Sequence, residues 1–288
     1  MLAAGAGYLL ARYTQIHPRS ISQLAFKIFI PSLLFDLLTS SQLNNDDLWR
    51  MGSFALLSIV SMAVIAWLVF RGLGYKERML SALVLVTTFG NAGNYGLSLN
   101  RFAFGETSLA YASVYFSISI ILINTLGLII ASLGTANLRK GMLELLRTPA
   151  VYALVIAVIF NLGGWELPMP IERTISTLSD AAIPTMLVLL GIQLFYSRAV
   201  VRKGALWLAT IMKLGLAPLL ALPIAALCGL NGAAFQAGIS SSAMPTAVLM
   251  GVVATEFGAE PSFVTLAITV TTLLSPLSLT PILALLGA

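Results

Sequence analysis

Read as a pattern of apolar and polar positions, the chain is a succession of long apolar runs divided by short polar breaks. The runs cover residues 1–13, 21–39, 48–71, 78–100, 107–133, 148–164, 174–196, 204–228, 231–257 and 261–286. A spanning helix needs roughly 20 mainly apolar residues. The pattern therefore predicts an all-α polytopic membrane protein of about ten transmembrane helices, with no room for a separate soluble domain. The first run, 1–13, is short of a bilayer and is expected to be a half-span or to be completed upstream.

Two runs carry residues that a plain spanning helix does not use. Run four contains Thr-Thr-Phe-Gly-Asn-Ala-Gly-Asn-Tyr-Gly-Leu-Ser over 87–98, with Gly90, Gly93 and Gly96 beside the amides Asn91 and Asn94. Run nine contains Ser240-Ser-Ser-Ala-Met-Pro-Thr246. In hydrocarbon every backbone N–H and C=O must be paired, so a helix that opens there is buried in protein or lines a cavity. Such a broken helix would offer freed N–H groups, amides and hydroxyls to a solute. Its half-helix N-termini would add partial positive charge, worth up to ~2 kcal/mol for an anion in a partly buried setting. The plain alternative is a glycine-lined packing seam with asparagines bonded across helices.

An internal repeat favours the broken helix. Ile30-Pro31 and Ile183-Pro184, Phe104-Gly105 and Phe257-Gly258, and Leu133-Gly134 and Leu286-Gly287 are each 153 positions apart (183 − 30). Each unit holds five runs, an odd number. Residues 1–134 and 135–288 are thus expected to form two five-helix repeats inserted with opposite orientation. The offset maps Ala92 onto Pro245, so both copies are interrupted at one depth. The substrate-binding residues this predicts are Asn91, Gly93 and Asn94 from run four, with Ser241, Ser242, Pro245 and Thr246 from run nine.

Composition and charge narrow the function. The chain is 58% hydrophobic and 9% charged, with a mean hydropathy of +0.95. A net charge of +5 would suit nucleic acid, but the basic residues are scattered through short loops and form no patch, so the lipid bilayer and not nucleic acid is the expected partner. Loops after odd-numbered runs carry Arg12, Arg19, Arg71, Lys76, Arg78, Arg139, Lys140, Arg147, Arg198, Arg202 and Lys203. Loops after even-numbered runs carry Arg50, Arg101 and Arg173. By the positive-inside rule the odd loops are expected in the cytoplasm and both termini outside a cell membrane. Cys228 has no disulfide partner and His17 no partner for a metal site, so neither metal nor cofactor is expected. No nucleophile sits beside a base and no carboxylate pair lies within the runs, which argues against an enzyme. No basic leader precedes run one, so no cleaved signal peptide is expected.

Ionisable residues inside apolar runs are costly unless paired or hydrated. Lys27 and Asp36 flank Pro31 in run two, and Lys213 lies in run eight. The repeat maps Lys27 onto Asp180, each four residues before its proline (31 − 27 and 184 − 180). These two would form a cross-repeat ion pair or respond to substrate or proton. Alternatively, Lys27 snorkels to the interface and Asp180 caps a helix start. Asp36 is a further candidate for charge coupling, the role of Lys213 is open, and Pro31 and Pro184 are candidate hinges or simple kinks.

With Ile-Pro-Ser-Leu-Leu-Phe in run two, Gly-Asn-Ala-Gly-Asn-Tyr-Gly in run four and Ala-Met-Pro-Thr-Ala in run nine, the chain resembles the auxin efflux carrier family, the bacterial relatives of the plant PIN carriers, over essentially all 288 residues. The resemblance implies that helices four and nine unwind and cross near the middle of the bilayer. It implies a transport domain of spans 3–5 and 8–10 moving as an elevator on a scaffold of spans 1, 2, 6 and 7, which forms a homodimer. It implies an organic anion as substrate, auxin in plants and carboxylates such as malate or malonate in bacteria, and places the crossing on Asn91, Gly93, Asn94 and Pro245. Run four departs from the pattern in having glycines and no proline at its break, and run one looks shortened. The bile-acid/sodium symporters share this architecture, but their paired acidic-glutamine sodium motif is missing. The function expected is a secondary transporter of a small organic anion working by alternating access. The alternatives are a sodium-coupled symporter of the bile-acid type and a non-transporting anion sensor or scaffold.

Overall fold

The computed structural model describes residues 2–16, 18–40, 44–131, 149–165, 167–196 and 203–288. His17, Arg139, Lys140, Arg147, Arg198, Arg202 and the landmark Leu133-Gly134 lie outside the described residues. The regular elements described are helices: α1 Leu2–Tyr13, α2 Pro18–Leu24, α3 Ile30–Ser40, α4 Asn45–Gly72, α5 Glu77–Thr88, α6 Ser98–Leu122, α7 Leu128–Ala131, α8 Pro149–Gly163, α9 Met169–Tyr196, α10 Lys203–Ile211, α11 Ala217–Leu227, α12 Gly232–Ser242, α13 Leu249–Phe257 and α14 Pro261–Leu285. π-helical turns at Ala25–Phe29, Ile123–Gly127 and Met212–Leu216 join α2 to α3, α6 to α7 and α10 to α11, and a fourth, Ala92–Leu97, leads into α6. Four helical runs among the described residues are long and apolar enough to cross a bilayer: Asn45–Gly72, Ala92–Ala131, Lys203–Leu227 and Pro261–Leu285.

Helix α4 shows why these sequences form membrane helices. The Asn44 side chain caps its start by accepting from the Asp47 N–H at 2.8 Å. Asp46 and Asp47 sit in the first turn and Arg71 in the last, each complementing the end of the helix dipole. Gly74, at φ 85°, turns the chain out of the helix. Met51, Phe54, Ala55, Ser58, Ile59 and Met62 form the buried stripe at helical spacing, yet the outer face carries Leu56, Leu57, Val64, Trp67 and Leu68. A helix apolar all round belongs in lipid.

The helices pack into two groups. Helix α9 packs on α1, α2 and α3, and α3 on α8. The second group is built around α4, α5, α6, α11, α12 and α14. The groups meet where α9 touches the turn Ala92–Leu97 and where α6 touches α3 and α8. The break expected between runs four and five is a helical corner. At this corner Gly105, with the non-helical angles φ 83° and ψ −170°, divides α6 into two helices where the break was expected, and Arg101 pairs with Glu106 across it at 2.9 Å.

Candidate functional site: a crossing of two opened helices

Helix α5 stops at Thr88, where Phe89 turns extended (φ −93°, ψ 114°) and Asn91 follows at φ −77°, ψ 59°. Those Asn91 angles are those of an inverse γ-turn, and the Ala92 N–H accordingly donates to the Gly90 carbonyl at 2.8 Å. Helix α12 stops at Ser242, and Pro245 follows two residues after its C-cap Ala243. Proline has no N–H to return to the preceding turn and holds the residue before it extended, so the helix cannot resume at once.

The two openings meet. Gly90 faces Thr246 in an antiparallel bridge. The Asn91 N–H donates to the Pro245 carbonyl at 2.7 Å, and the Ala247 N–H donates to the Phe89 carbonyl at 2.9 Å. The Thr246 hydroxyl donates to the Val86 carbonyl at 2.7 Å, while its N–H donates to Thr271 Oγ1 at 3.2 Å. Each break thus supplies the backbone partners the other lost. In hydrocarbon each unpaired group would cost several kcal/mol. Gly90, Gly93 and Gly96 serve close approach. A Cβ on Gly93 would lie 2.6 Å from the Phe116 ring, and one on Gly96 3.3 Å from Met244 Cγ.

A cavity of about 50 Å³ opens beside the crossing. Gly90, Asn91, Ala92, Gly93 and Asn94 line one side and Ala247, Val248 and Leu249 another. Phe116, Ser119, Ile120 and Ile123 close it, and Ser22 of α2 reaches it from the other helix group, so the cavity lies on the seam between the groups. The two helical starts, Ala92 and Leu249, therefore both border it. The Ala92, Met250 and Gly251 N–H groups of these starts donate to the Gly90, Ala247 and Val248 carbonyls, so what the starts bring to the cavity is chiefly the positive ends of their dipoles. Asn91 and Asn94 are 5% and 3% exposed, yet Asn91 Nδ2 and Asn94 Oδ1 are without a hydrogen-bond partner among the described residues. Burial without a partner costs ~1–3 kcal/mol per group, which sets these two atoms apart from the satisfied polar groups of the crossing.

Other predicted residues fall elsewhere. Pro245 and Thr246 form the crossing itself. Ser241 and Ser242 end α12 outside the cavity lining, and the Ser242 hydroxyl donates to the Ile239 carbonyl at 2.7 Å. Lys27 and Asp180 are both exposed and form no ion pair; among the described residues the ion pair is Arg101–Glu106. Asp180 lies instead near Asp36, whose carboxylate bonds Ser179 and faces Asp180 and Glu172. Pro31 follows the π-helical turn Ala25–Phe29, and Pro184 sits exposed inside an unbroken α9.

Sequence reasoning missed Phe116, Ser119 and Ser22 in the cavity wall, and it missed Asn100. Asn100 is 0% exposed, its Nδ2 donates to the Gly96 carbonyl at 2.9 Å, and its Oδ1 accepts from Ser108 at 3.0 Å and Ser240 at 2.9 Å. It ties α6 to α12 just behind the crossing. Phe116, Ser119, Ile120 and Ile123 share one helical face at i, i+3, i+4 and i+7, and the serine on that otherwise apolar face was the signal for the wall.

Comparison with known proteins finds similarity to membrane transporters over nearly the whole chain. The family model described as membrane transport protein matches residues 1–140 and 134–283. An uncharacterised transporter of Methanothermobacter thermautotrophicus is 27% identical over 262 residues, covering 90% of this chain and 86% of the relative. An uncharacterised transporter of Methanocaldococcus jannaschii is 22% identical over 268 residues, with the same coverage of 90% and 86%. Auxin efflux carrier component 8 of Arabidopsis thaliana is 28% identical over 141 residues, 46% of this chain and 38% of that one. With nearly the whole length matched, the chain belongs to the membrane transport protein family, the family of the auxin efflux carriers.

Proposed function

We propose that this protein is a secondary transporter of a small organic anion, moved by alternating access around the crossing of the two opened helices. The observation that carries the reading is the convergence of two helical starts and the unpartnered Asn91 Nδ2 donor on one cavity, beside the unpartnered acceptor Oδ1 of Asn94. The amide donor and the positive dipole ends suit a carboxylate, and the Asn94 oxygen suits a hydroxyl of the same solute.

The same proposal includes two inverted repeats over 1–134 and 135–288. Its support is that Gly105 and Gly258, related by the 153 offset (258 − 105), both adopt positive φ, 83° and 66°, and that both units are opened at equivalent depth. The group α1, α2, α3, α8 and α9 corresponds to a dimerising scaffold, and the remaining helices to a transport domain that slides on it as an elevator. The cavity on the seam between them would change sides as the groups move. Both termini face outward, and the moving domain needs neither enzyme chemistry nor a cofactor.

Flux in proteoliposomes tests this. Carboxylate uptake or efflux above protein-free vesicles is expected. Saturable binding with no flux would make the protein a sensor or scaffold, and flux that vanishes without sodium would make it a sodium-coupled symporter.

A further inference from the structure

Lys213 lies in the π-helical turn Met212–Leu216 and is 2% exposed. A Cβ built on Gly90 would stand 3.1 Å from its Nζ and 3.4 Å from the Met244 carbonyl oxygen. Its ammonium therefore rests against the crossing. Gly90 lines the cavity and Lys213 does not, so a single thickness of glycine backbone separates the ammonium from the cavity. No hydrogen bond or carboxylate meets it among the described residues, where the ion pair is Arg101–Glu106. The turn packs on α5, α10, α11 and α14. Of these, α11 and α14 contain no ionisable side chain, α5 has Glu77 and Arg78 in its first turn, and α10 has Lys203 at its start.

A buried cation persists only where something neutralises it. Here α5 and α12 both end at the crossing, at Thr88 and Ser242. Their last carbonyls lack intrahelical donors and carry the negative end of each dipole. The hydroxyls of Thr88, Thr210 and Thr272, on three of the elements packed around Lys213, are also buried without a partner among the described residues. The crossing thus has two sides: helical starts border the cavity, and on the other side α5 packs on the Lys213 turn while the Met244 carbonyl, just past the end of α12, stands beside the same Gly90 position as Nζ. A free metal cation would seek the second side, and the protein has placed an ammonium there.

We propose that Lys213 is the resident cation of the crossing. It occupies the carbonyl side in place of a dissociable coupling cation and acts through the Gly90 backbone to hold a carboxylate in the cavity. This rests on the anion-transport reading above. Two consequences follow: carboxylate binding is independent of sodium, and the contribution of Lys213 grows with the charge of the ligand, because it acts at a distance by charge and not by a hydrogen bond.

The test measures binding of acetate, malonate and malate to purified full-length protein, in sodium chloride and in choline chloride at equal ionic strength, for the parent and for Lys213→Met, a neutral side chain of similar length. Equal affinities in the two salts are expected for the parent. Lys213→Met is expected to lose tenfold or more in malonate affinity, and less for acetate. Parent binding that requires sodium overturns the proposal, and this arm stands even if the variant does not fold. A folded Lys213→Met with parental malonate affinity, or with equal losses for acetate and malonate, overturns it as well. Absence of binding of any of the three carboxylates to the parent would instead remove the anion-site reading on which the proposal rests.

Discussion

Asn94 and Asn100 lie one and a half turns apart and are both buried, yet they should respond oppositely to alanine. Asn100→Ala removes an amide that satisfies the Gly96 carbonyl and the Ser108 and Ser240 hydroxyls. Ser240 retains a second acceptor, the Ala237 carbonyl at 3.2 Å, so two groups are left stranded. At ~1–3 kcal/mol for each stranded group, the variant should lose about 2–6 kcal/mol. Asn94→Ala removes a side chain whose Oδ1 has no partner, so the desolvation it relieves offsets most of the packing it forfeits. Its stability should move by no more than about 1 kcal/mol. Carboxylate affinity should follow the reverse order. For a hydroxylated carboxylate such as malate, whose hydroxyl can donate to Oδ1, Asn94→Ala should weaken it by ~1–3 kcal/mol, about 5- to 150-fold. Thermal unfolding in detergent with and without ligand reads both quantities, since a chain of this size shifts by up to ~2 °C per kcal/mol. An Asn94→Ala protein that unfolds as early as Asn100→Ala while binding the carboxylate normally would refute the reasoning and make Asn94 a packing residue.

Gly93→Ala should push Phe116 into the cavity, costing ~1–3 kcal/mol of stability together with binding; Phe116→Leu in the same protein should recover part of both, as read by melting and ligand titration. Thr246→Val strands the Val86 carbonyl, so its unfolding free energy should fall by ~1–3 kcal/mol; an unchanged urea midpoint would mean that this bond contributes nothing. Pro245→Ala keeps the carbonyl that accepts from Asn91 but restores an N–H that can close the helix onto Ser241. It should fold normally and carry less than a tenth of the parental flux, whereas Pro261→Ala, at the first turn of α14, should transport like the parent. Parental flux from Pro245→Ala would place the site elsewhere.

The interruptions were legible because glycine, asparagine and proline in apolar runs contradict their surroundings, and a fixed offset tied one interruption to the other. Their pairing came only from the family resemblance, which placed the crossing on Asn91, Gly93, Asn94 and Pro245, and not from the pattern of this sequence. That Asn91 meets Pro245 and Phe89 meets Ala247 depends on two helices crossing in space, which no local pattern encodes. The glycines invited an argument from backbone freedom, but at Gly93 the requirement is the Phe116 ring, contributed 23 positions later (116 − 93). Asn100 read as a residue at the end of a run because Arg101 and Gly105 follow it. Only the corner at Gly105 carries the chain on as helix and brings Ser108 back to it. The hydroxyls of Ser242 and Thr246 looked available in sequence and are spent on carbonyls in the fold. Lys213 gave no sign of its position, since nothing near it in sequence is polar enough to explain a charge.

The clasp between Phe89–Asn91 and Pro245–Ala247 also constrains how the protein is made. Its bonded partners are 154 and 158 residues apart (245 − 91 and 247 − 89). Ribosomes add about 5–20 residues per second, so the opened part of the fourth run waits roughly 8–30 s before its complement is synthesised. During that interval its carbonyls and amides have neither water nor a partner if the segment has already entered lipid. The membrane-insertion machinery must therefore shelter it, or it must first enter as a closed helix and open only when the later segment arrives. Expressed alone, the N-terminal half would lack its clasp, and co-expression of the C-terminal half as a separate chain is the rescue this geometry calls for.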